Sequence, residues 1–247
     1  MEWTEESGVR VLEATLPDAR AVFTTRTGGV SSGPFESLNL GMLTGDAHEA
    51  VMENRGRAAR AAGTEPKSVL IGRQVHGAEV ERRDEAPGPN PFAEGGGSAS
   101  EIDGQATGAF GLTPIVLVAD CLPVALSGRD GVAMVHCGWR GLAGGIVARG
   151  VQEVAATAAA VGPGIGPCCY EVGGEVLAAF AGLGEGIADG RMLDLREVAR
   201  RLLGAAGVHE VDSSDLCTSC HPDLFFSHRR DHGETGRQAG MVTRCRD

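Results

Sequence analysis

Aromatic residues are scarce in this 247-residue chain: two tryptophans, one tyrosine and seven phenylalanines. The stacking platforms of single-strand nucleic-acid binders are therefore not expected. Positive charge is short as well. Lys and Arg number 22 against 33 Asp and Glu, a net charge of −11, which repels polyanions and argues against nucleic acid or an anionic membrane surface as partner. No apolar run is long enough to span a bilayer, the longest, Pro114 to Leu126, being broken by Asp120. Met1-Glu2-Trp3-Thr4-Glu5-Glu6 lacks the basic start and apolar stretch of a signal peptide. Seven cysteines without an export signal read as reduced thiols, so a cytoplasmic location is expected. Solenoid-length repeats are absent, and no obligate protein partner is evident.

Glycine, by contrast, is abundant at 38 residues, and implies many tight turns and close backbone approaches. With 42% hydrophobic residues the chain can build a core, and we read residues 1–247 as one catalytic domain. Residues 84–100, rich in Pro and Gly, read as a long flexible loop within it. Strands are expected at Val9–Leu12, Ala21–Thr25, Val69–Ile71, Glu79–Glu81, Pro114–Ala119, Pro123–Leu126 and Val132–Val135. Asp46 and Glu49 resemble a capping box opening a helix that stops at Gly63. Further helices are expected over Leu142–Ala160, Gly174–Phe180 and Leu195–Ala206. The class is mixed α/β (α+β), with helices covering sheet faces.

Ile115-Val116-Leu117-Val118-Ala119 delivers Asp120 and Cys121 to a strand end, and Val132-Ala133-Met134-Val135 delivers His136. A hairpin centred on Gly128 and Arg129 sets Cys121 opposite His136, about 4.5–5.5 Å apart at Cβ. His76, in Gln74-Val75-His76-Gly77, offers a third ligand, and two His plus one Cys with an open position is a catalytic zinc pattern. The competing reading is a buried Cys121 and two unrelated histidines satisfied by hydrogen bonds. Cys217-Thr218-Ser219-Cys220-His221 matches the haem-attachment pattern, but attachment needs export. A structural zinc ribbon needs a second spaced Cys pair, and the adjacent Cys168-Cys169 has the wrong spacing. Gly162-Pro163-Gly164-Ile165-Gly166-Pro167 looks like a phosphate cradle but fits neither dinucleotide nor Walker patterns, so it reads better as a structural turn. Arginines beside turns, at Arg26 before Gly28-Gly29, at Arg140 and at Arg229-Arg230, are candidates for an anionic substrate.

Taken together, Thr24-Thr25-Arg26-Thr27-Gly28-Gly29-Val30-Ser31, Ser37-Leu38-Asn39-Leu40-Gly41, Gln74-Val75-His76-Gly77, Ala119-Asp120-Cys121-Leu122-Pro123-Val124, His136-Cys137-Gly138-Trp139-Arg140-Gly141, the Gly162 to Gly173 run and Phe226-Ser227-His228-Arg229-Arg230-Asp231 stand in one order. That ordered set resembles the YfiH-type purine nucleoside phosphorylases, formerly labelled polyphenol oxidase or laccase-domain proteins. The resemblance implies a zinc enzyme that phosphorolyses adenosine, inosine, guanosine and methylthioadenosine and deaminates adenosine. It also implies a layered sandwich of mixed β-sheets flanked by helices, related to the deamidase domain of cytotoxic necrotizing factor toxins. Carried to matching positions, His76, Cys121 and His136 become zinc ligands. Asp120, Cys121 and Arg140 are the catalytic candidates, with Asp120 either the acid or a carboxylate orienting a metal-bound histidine. Arg26, Asn39, Arg229 and Arg230 are the substrate and phosphate candidates. Cys137 stands where alanine is usual and His228 where tyrosine is usual. In an extended strand Cys137 points away from His136, so it should not join the metal. Two rival chemistries remain. One is a copper-dependent polyphenol oxidase, against which stands the lack of any His-x-His. The other is a metal-free cysteine hydrolase or deamidase using Cys121 and His136.

Overall fold

The computed structural model describes residues 1–96 and 99–245. Two six-stranded mixed sheets stack face to face, with helices on both outer faces. The first runs in the order β1 (Glu2–Glu6), β2 (Val9–Leu16), β3 (Ala19–Thr24), β14 (Gln238–Arg244), β7 (Thr113–Val118) and β4 (Val69–Leu70). The second runs β13 (Glu210–Ser213), β10 (Ala156–Val161), β8 (Leu122–Gly128), β9 (Gly131–Cys137), β6 (Gly104–Thr107) and β5 (Val80–Arg82). Pairing is parallel at β4–β7, β10–β13 and β5–β6 and antiparallel elsewhere in these sheets. β11 (Ala188–Asp189) and β12 (Met192–Leu193) form a separate ribbon. The helices are α1 (His48–Ala61), α2 (Pro91–Glu94), α3 (Trp139–Ala143), α4 (Ile146–Val154), α5 (Gly174–Ala179) and α6 (Leu195–Ala205). Among the described residues no helix is long and apolar enough to cross a membrane.

Strand alternation builds the layers. On β9, Val132 and Met134 face the layer between the sheets, while Ala133, Val135 and Cys137 face the layer under α4 and α6. Cys137 is thus a buried core residue on the face opposite His136. The apolar face of α4 (Ile146, Val147, Val151, Val154) covers the second sheet, each side chain contributing about 1.5–3 kcal/mol. On the first sheet's outer side, Ala58, Ala59 and Ala61 of α1 pack with Val9, Val11 and Val22.

Several expected elements differ. Asp46 does not cap α1: Ala47 stands at the N-cap, while Asp46 accepts from Ser31 Oγ (2.6 Å) and Asn39 Nδ2 (2.9 Å). The helix expected over Leu142–Ala160 breaks at Gly144-Gly145 and ends at Ala155, whose φ of 48° is left-handed. Ala156–Val161 is instead a central strand, because a buried strand between β8 and β13 outweighs alanine's helix propensity. Residues 84–96 are not a bare loop. The Asn90 side chain accepts from the amides of Phe92 and Ala93 to cap α2, and Phe92 is fully buried beneath the Arg55 guanidinium. Gly97 and Ser98 of that expected loop lie outside the described residues. The β8–β9 turn is centred on Arg129-Asp130, one residue later than expected, so Pro123 pairs with His136 and Leu122 with Cys137. Cys121 therefore does not sit directly opposite His136. A slip of two in partner number keeps both on the same sheet face, which is why they still meet.

Candidate metal centre and its pocket

Cys121 precedes β8 and His136 lies near the end of β9, both on the face between the two sheets. His76 arrives from a loop after β4, at a φ of 60°. Two devices hold that loop. Gln74 clasps β7 at Leu117, donating from Nε2 (2.8 Å) and accepting the Leu117 amide at Oε1 (2.8 Å). The fully buried Asp103 carboxylate then accepts the amides of Val75 (3.0 Å), His76 (3.0 Å) and Gly77 (2.7 Å). Asp103 Oδ1 also stands 2.8 Å from His136 Nδ1, so one carboxylate orients one imidazole and shapes the loop that carries the other. Asp103 was missed from the sequence. Its signal, an acid opening β6 in Ile102-Asp103-Gly104, gives no hint of partners so remote in sequence.

The ligating atoms of His76, Cys121 and His136 all lie within 4.8 Å of one another. With Nδ1 of His136 engaged by Asp103, its Nε2 lone pair is the one left for the cluster. Gly138 roofs the group: a Cβ there would stand 3.0 Å from Cys121 Sγ and 3.4 Å from His76 Cδ2. A divalent ion takes sulfur at about 2.3 Å and imidazole nitrogen at about 2.0–2.1 Å, so small side-chain shifts close this donor set on one ion. The residues fit a metal. Charge agrees: burial works against ionising Cys121, yet His136 and His76 outweigh it and bring the thiol down to about 6. Burial likewise opposes the charge on His136, but Cys121 and Asp103 raise it to about 9, so a metal bound at Nε2 would displace that proton.

The other expected site residues divide. Asp120 adjoins Cys121, but its oxygens accept from Thr218 Oγ1 (2.6 Å) and the Arg229 amide (2.7 Å). It therefore braces two loops, and the carboxylate that orients His136 is Asp103. Asn39 is fully buried, its side chain bonded to Thr44, Asp46, Gly41 and the Arg237 amide. Arg230 spends its donors on Asp231 and on the carbonyls of Thr218 and Phe225, a bracing position. Arg26 donates to the carbonyls of Glu36 (2.6 Å) and Pro222 (2.9 Å) over the Phe226 ring. The Gly29 amide goes to Ser37 Oγ, and the Gly162–Pro167 run is an irregular segment that bridges to Cys217 at Gly164 and whose Ile165 amide donates to Asp120 O (2.8 Å).

Arg140 is exposed over the Trp139 ring, and exposed Arg229 lies over Tyr170 (5.3 Å). Tyr170 is close enough to Cys121, Arg229, Asp120 and Arg140 to feel their charges. Burial first, then Cys121, pushes its phenol up to about 12. Arg237, half-buried, donates from Nη1 to the carbonyls of Thr235 (3.0 Å) and Gly236 (2.8 Å), and its guanidinium pKa is lowered by burial and held up by the charges of Cys121 and Asp120. Tyr170 lies within the Gly162 to Gly173 run, beneath the Arg229 guanidinium.

The profile of the family described as multi-copper polyphenol oxidoreductase laccase matches residues 20–245. The purine nucleoside phosphorylase YlmD of Geobacillus stearothermophilus is 36% identical over 250 residues, covering 92% of this chain and 90% of that protein. The purine nucleoside phosphorylase YfiH of Escherichia coli is 35% identical, covering 98% and 96%. The crystal structure of the Geobacillus stearothermophilus YlmD superposes with a TM-score of 0.89 at 33% identity, covering 99% of each chain. The chain belongs to this YfiH/YlmD laccase-domain family.

Proposed function

We propose that this chain is a zinc-dependent purine nucleoside phosphorylase, acting on adenosine, inosine, guanosine and methylthioadenosine, with a second activity that deaminates adenosine. The observation that carries the reading is the convergence of His76, Cys121 and His136 within 4.8 Å of one another, with Asp103 behind them. The names of the relatives support it. A zinc ion held by the three side chains would supply a Lewis acid with a position left for substrate.

The chain's own groups supply the rest. In phosphorolysis a phosphate oxygen bonds to C1′ of the ribose while the C1′–N9 bond breaks and the base leaves with the electron pair. The exposed Arg140 and Arg229 give phosphate its counter-charge. Tyr170, kept protonated at neutral pH, presents a ring to the purine and a donor to the departing base. In deamination water replaces the amine at C6, in the same pocket.

One observation favours a second reading. Cys121, His136 and Asp103 line up as thiolate, imidazolium and carboxylate, the relay of a metal-free cysteine hydrolase and in keeping with the implied toxin-domain relation. That relay leaves His76 without a task. The family description points instead to copper, and His2Cys is also a blue-copper donor set.

The test is adenosine and inosine turnover with and without phosphate, products separated by chromatography, alongside metal analysis. Free base and ribose 1-phosphate should form only with phosphate, inosine should form from adenosine without it, and a chelator should abolish both. Chelator-resistant turnover with covalent trapping of Cys121 would establish the cysteine reading. Stoichiometric copper with blue absorbance would establish the oxidase.

A further inference from the structure

We infer that Cys168, Cys169, Cys217 and Cys220 form a second metal centre, a four-thiolate zinc site that clamps together two loops flanking the candidate active site. The four sulfurs lie within 4.8 Å of one another. Cys220 Sγ stands 3.5 Å from that of Cys168 and 3.4 Å from that of Cys169. A disulfide needs about 2.05 Å. Four thiolates at about 2.3 Å from one ion in a tetrahedron lie about 3.8 Å apart, close to the spacing seen. A tetrahedral all-sulfur set selects zinc over hard cations.

Topology explains why residues so far apart in sequence meet. Cys168 and Cys169 follow β10, Cys217 and Cys220 follow β13, and these two strands are parallel neighbours, so both loops emerge at one sheet edge. The loops are already paired by a bridge between Gly164 and Cys217 and by the Thr218 amide donating to Gly164 O (3.1 Å). The Gly166 amide donates to Cys217 Sγ (3.2 Å), a bond that favours thiolate. Spacing alone misleads here. The turn closed by the Cys169 amide on Gly166 O (3.0 Å) brings two adjacent cysteines to the group without a Cys-x-x-Cys pair.

Arg196 gives an independent indication. Its Nε is buried without a hydrogen-bond partner. A Cβ on Gly166 would lie 3.0 Å from the Arg196 guanidinium and 3.3 Å from Cys168 Sγ, so the cation borders the sulfurs. Zinc with four thiolates carries a net charge of −2, which an adjoining guanidinium offsets. The same loops hold the first site: Thr218 Oγ1 and the Ile165 amide both bond Asp120, the neighbour of Cys121. The second ion would thus be a positioning element, remote from substrate.

The experiment measures zinc per chain by mass spectrometry in protein purified under reducing conditions. The wild type should carry two equivalents. The His76→Asn/Cys121→Ser variant should retain one, and the Cys217→Ser/Cys220→Ser variant should lose one. Cobalt exchanged into the His76→Asn/Cys121→Ser variant should show the intense sulfur-to-metal charge-transfer bands of a tetrahedral thiolate site. That readout stands even if the cysteine double variant fails to fold, and it needs no turnover. A His76→Asn/Cys121→Ser protein with no zinc and no cobalt–thiolate bands would overturn the assignment, as would a Cys220 disulfide to Cys168 or Cys169 in the reduced preparation.

Discussion

Replacing Asp103 with asparagine is expected to weaken zinc binding about 10–100-fold, the usual effect of removing an outer-shell partner. It should also lower stability by about 3–5 kcal/mol, as breaking a buried, hydrogen-bonded charge does. The substitution keeps shape but not pattern. Asp103 is acceptor-only, and it faces three amide donors and the ring of His136. An asparagine that turns its oxygen to Val75 and Gly77 must point its NH2 at the His76 amide and at His136 Nδ1. Two donors then confront each other. The imidazole meets that NH2 best by moving its proton to Nε2, which removes the lone pair the metal needs. Zinc titration and denaturant unfolding of Asp103→Asn read the two effects separately. Unchanged zinc affinity would show that Asp103 does not set the ligand geometry.

His76→Asn should reduce both zinc affinity and phosphorolysis by more than about 100-fold, since a direct ligand counts for more than its outer-shell support. Asparagine is the informative replacement because residue 76 has a φ of 60°, a region asparagine tolerates better than most residues. The side chain is exposed, so with metal removed from both proteins stability should stay within about 0.5 kcal/mol of wild type. A stable, folded variant that lost metal and turnover together would tie activity to this ligand. A metal-free cysteine enzyme gives the opposite outcome, because Cys121, His136 and Asp103 are untouched and turnover should persist.

Local pattern made much of the fold legible. β7, β8 and β9 are buried on both faces and read as continuous apolar runs, and α6 carries an amphipathic stripe with Asp194 at its N-cap. β6 and β14 escaped because Gly104-Gln105-Ala106-Thr107 and Gln238-Ala239-Gly240 have little bulk: their strands are fixed by neighbours on either side. Alanine-rich β10 carries a helical pattern in its sequence for the same reason. At the site, the family resemblance points to His76, Cys121 and His136, and the hairpin spacing permits the last two to share a face in the observed register. Asp103 comes from a segment whose local pattern carries no such signal. Asn39 and Arg230 sit in distinctive motifs, yet their side chains bond other loops, through Asp46 and the Thr218 carbonyl, in part-buried hydrogen bonds. A motif marks where a side chain is constrained, and only its partners in space tell whether substrate or backbone does the constraining.

Anomalous scattering at the zinc edge, from crystals of protein purified without added chelator, addresses the central claim most directly. The expected result is a peak about 2.0–2.3 Å from His76, Cys121 and His136 together, in protein that phosphorolyses inosine. Full phosphorolysis from crystals' source protein with no metal between these three side chains would contradict it.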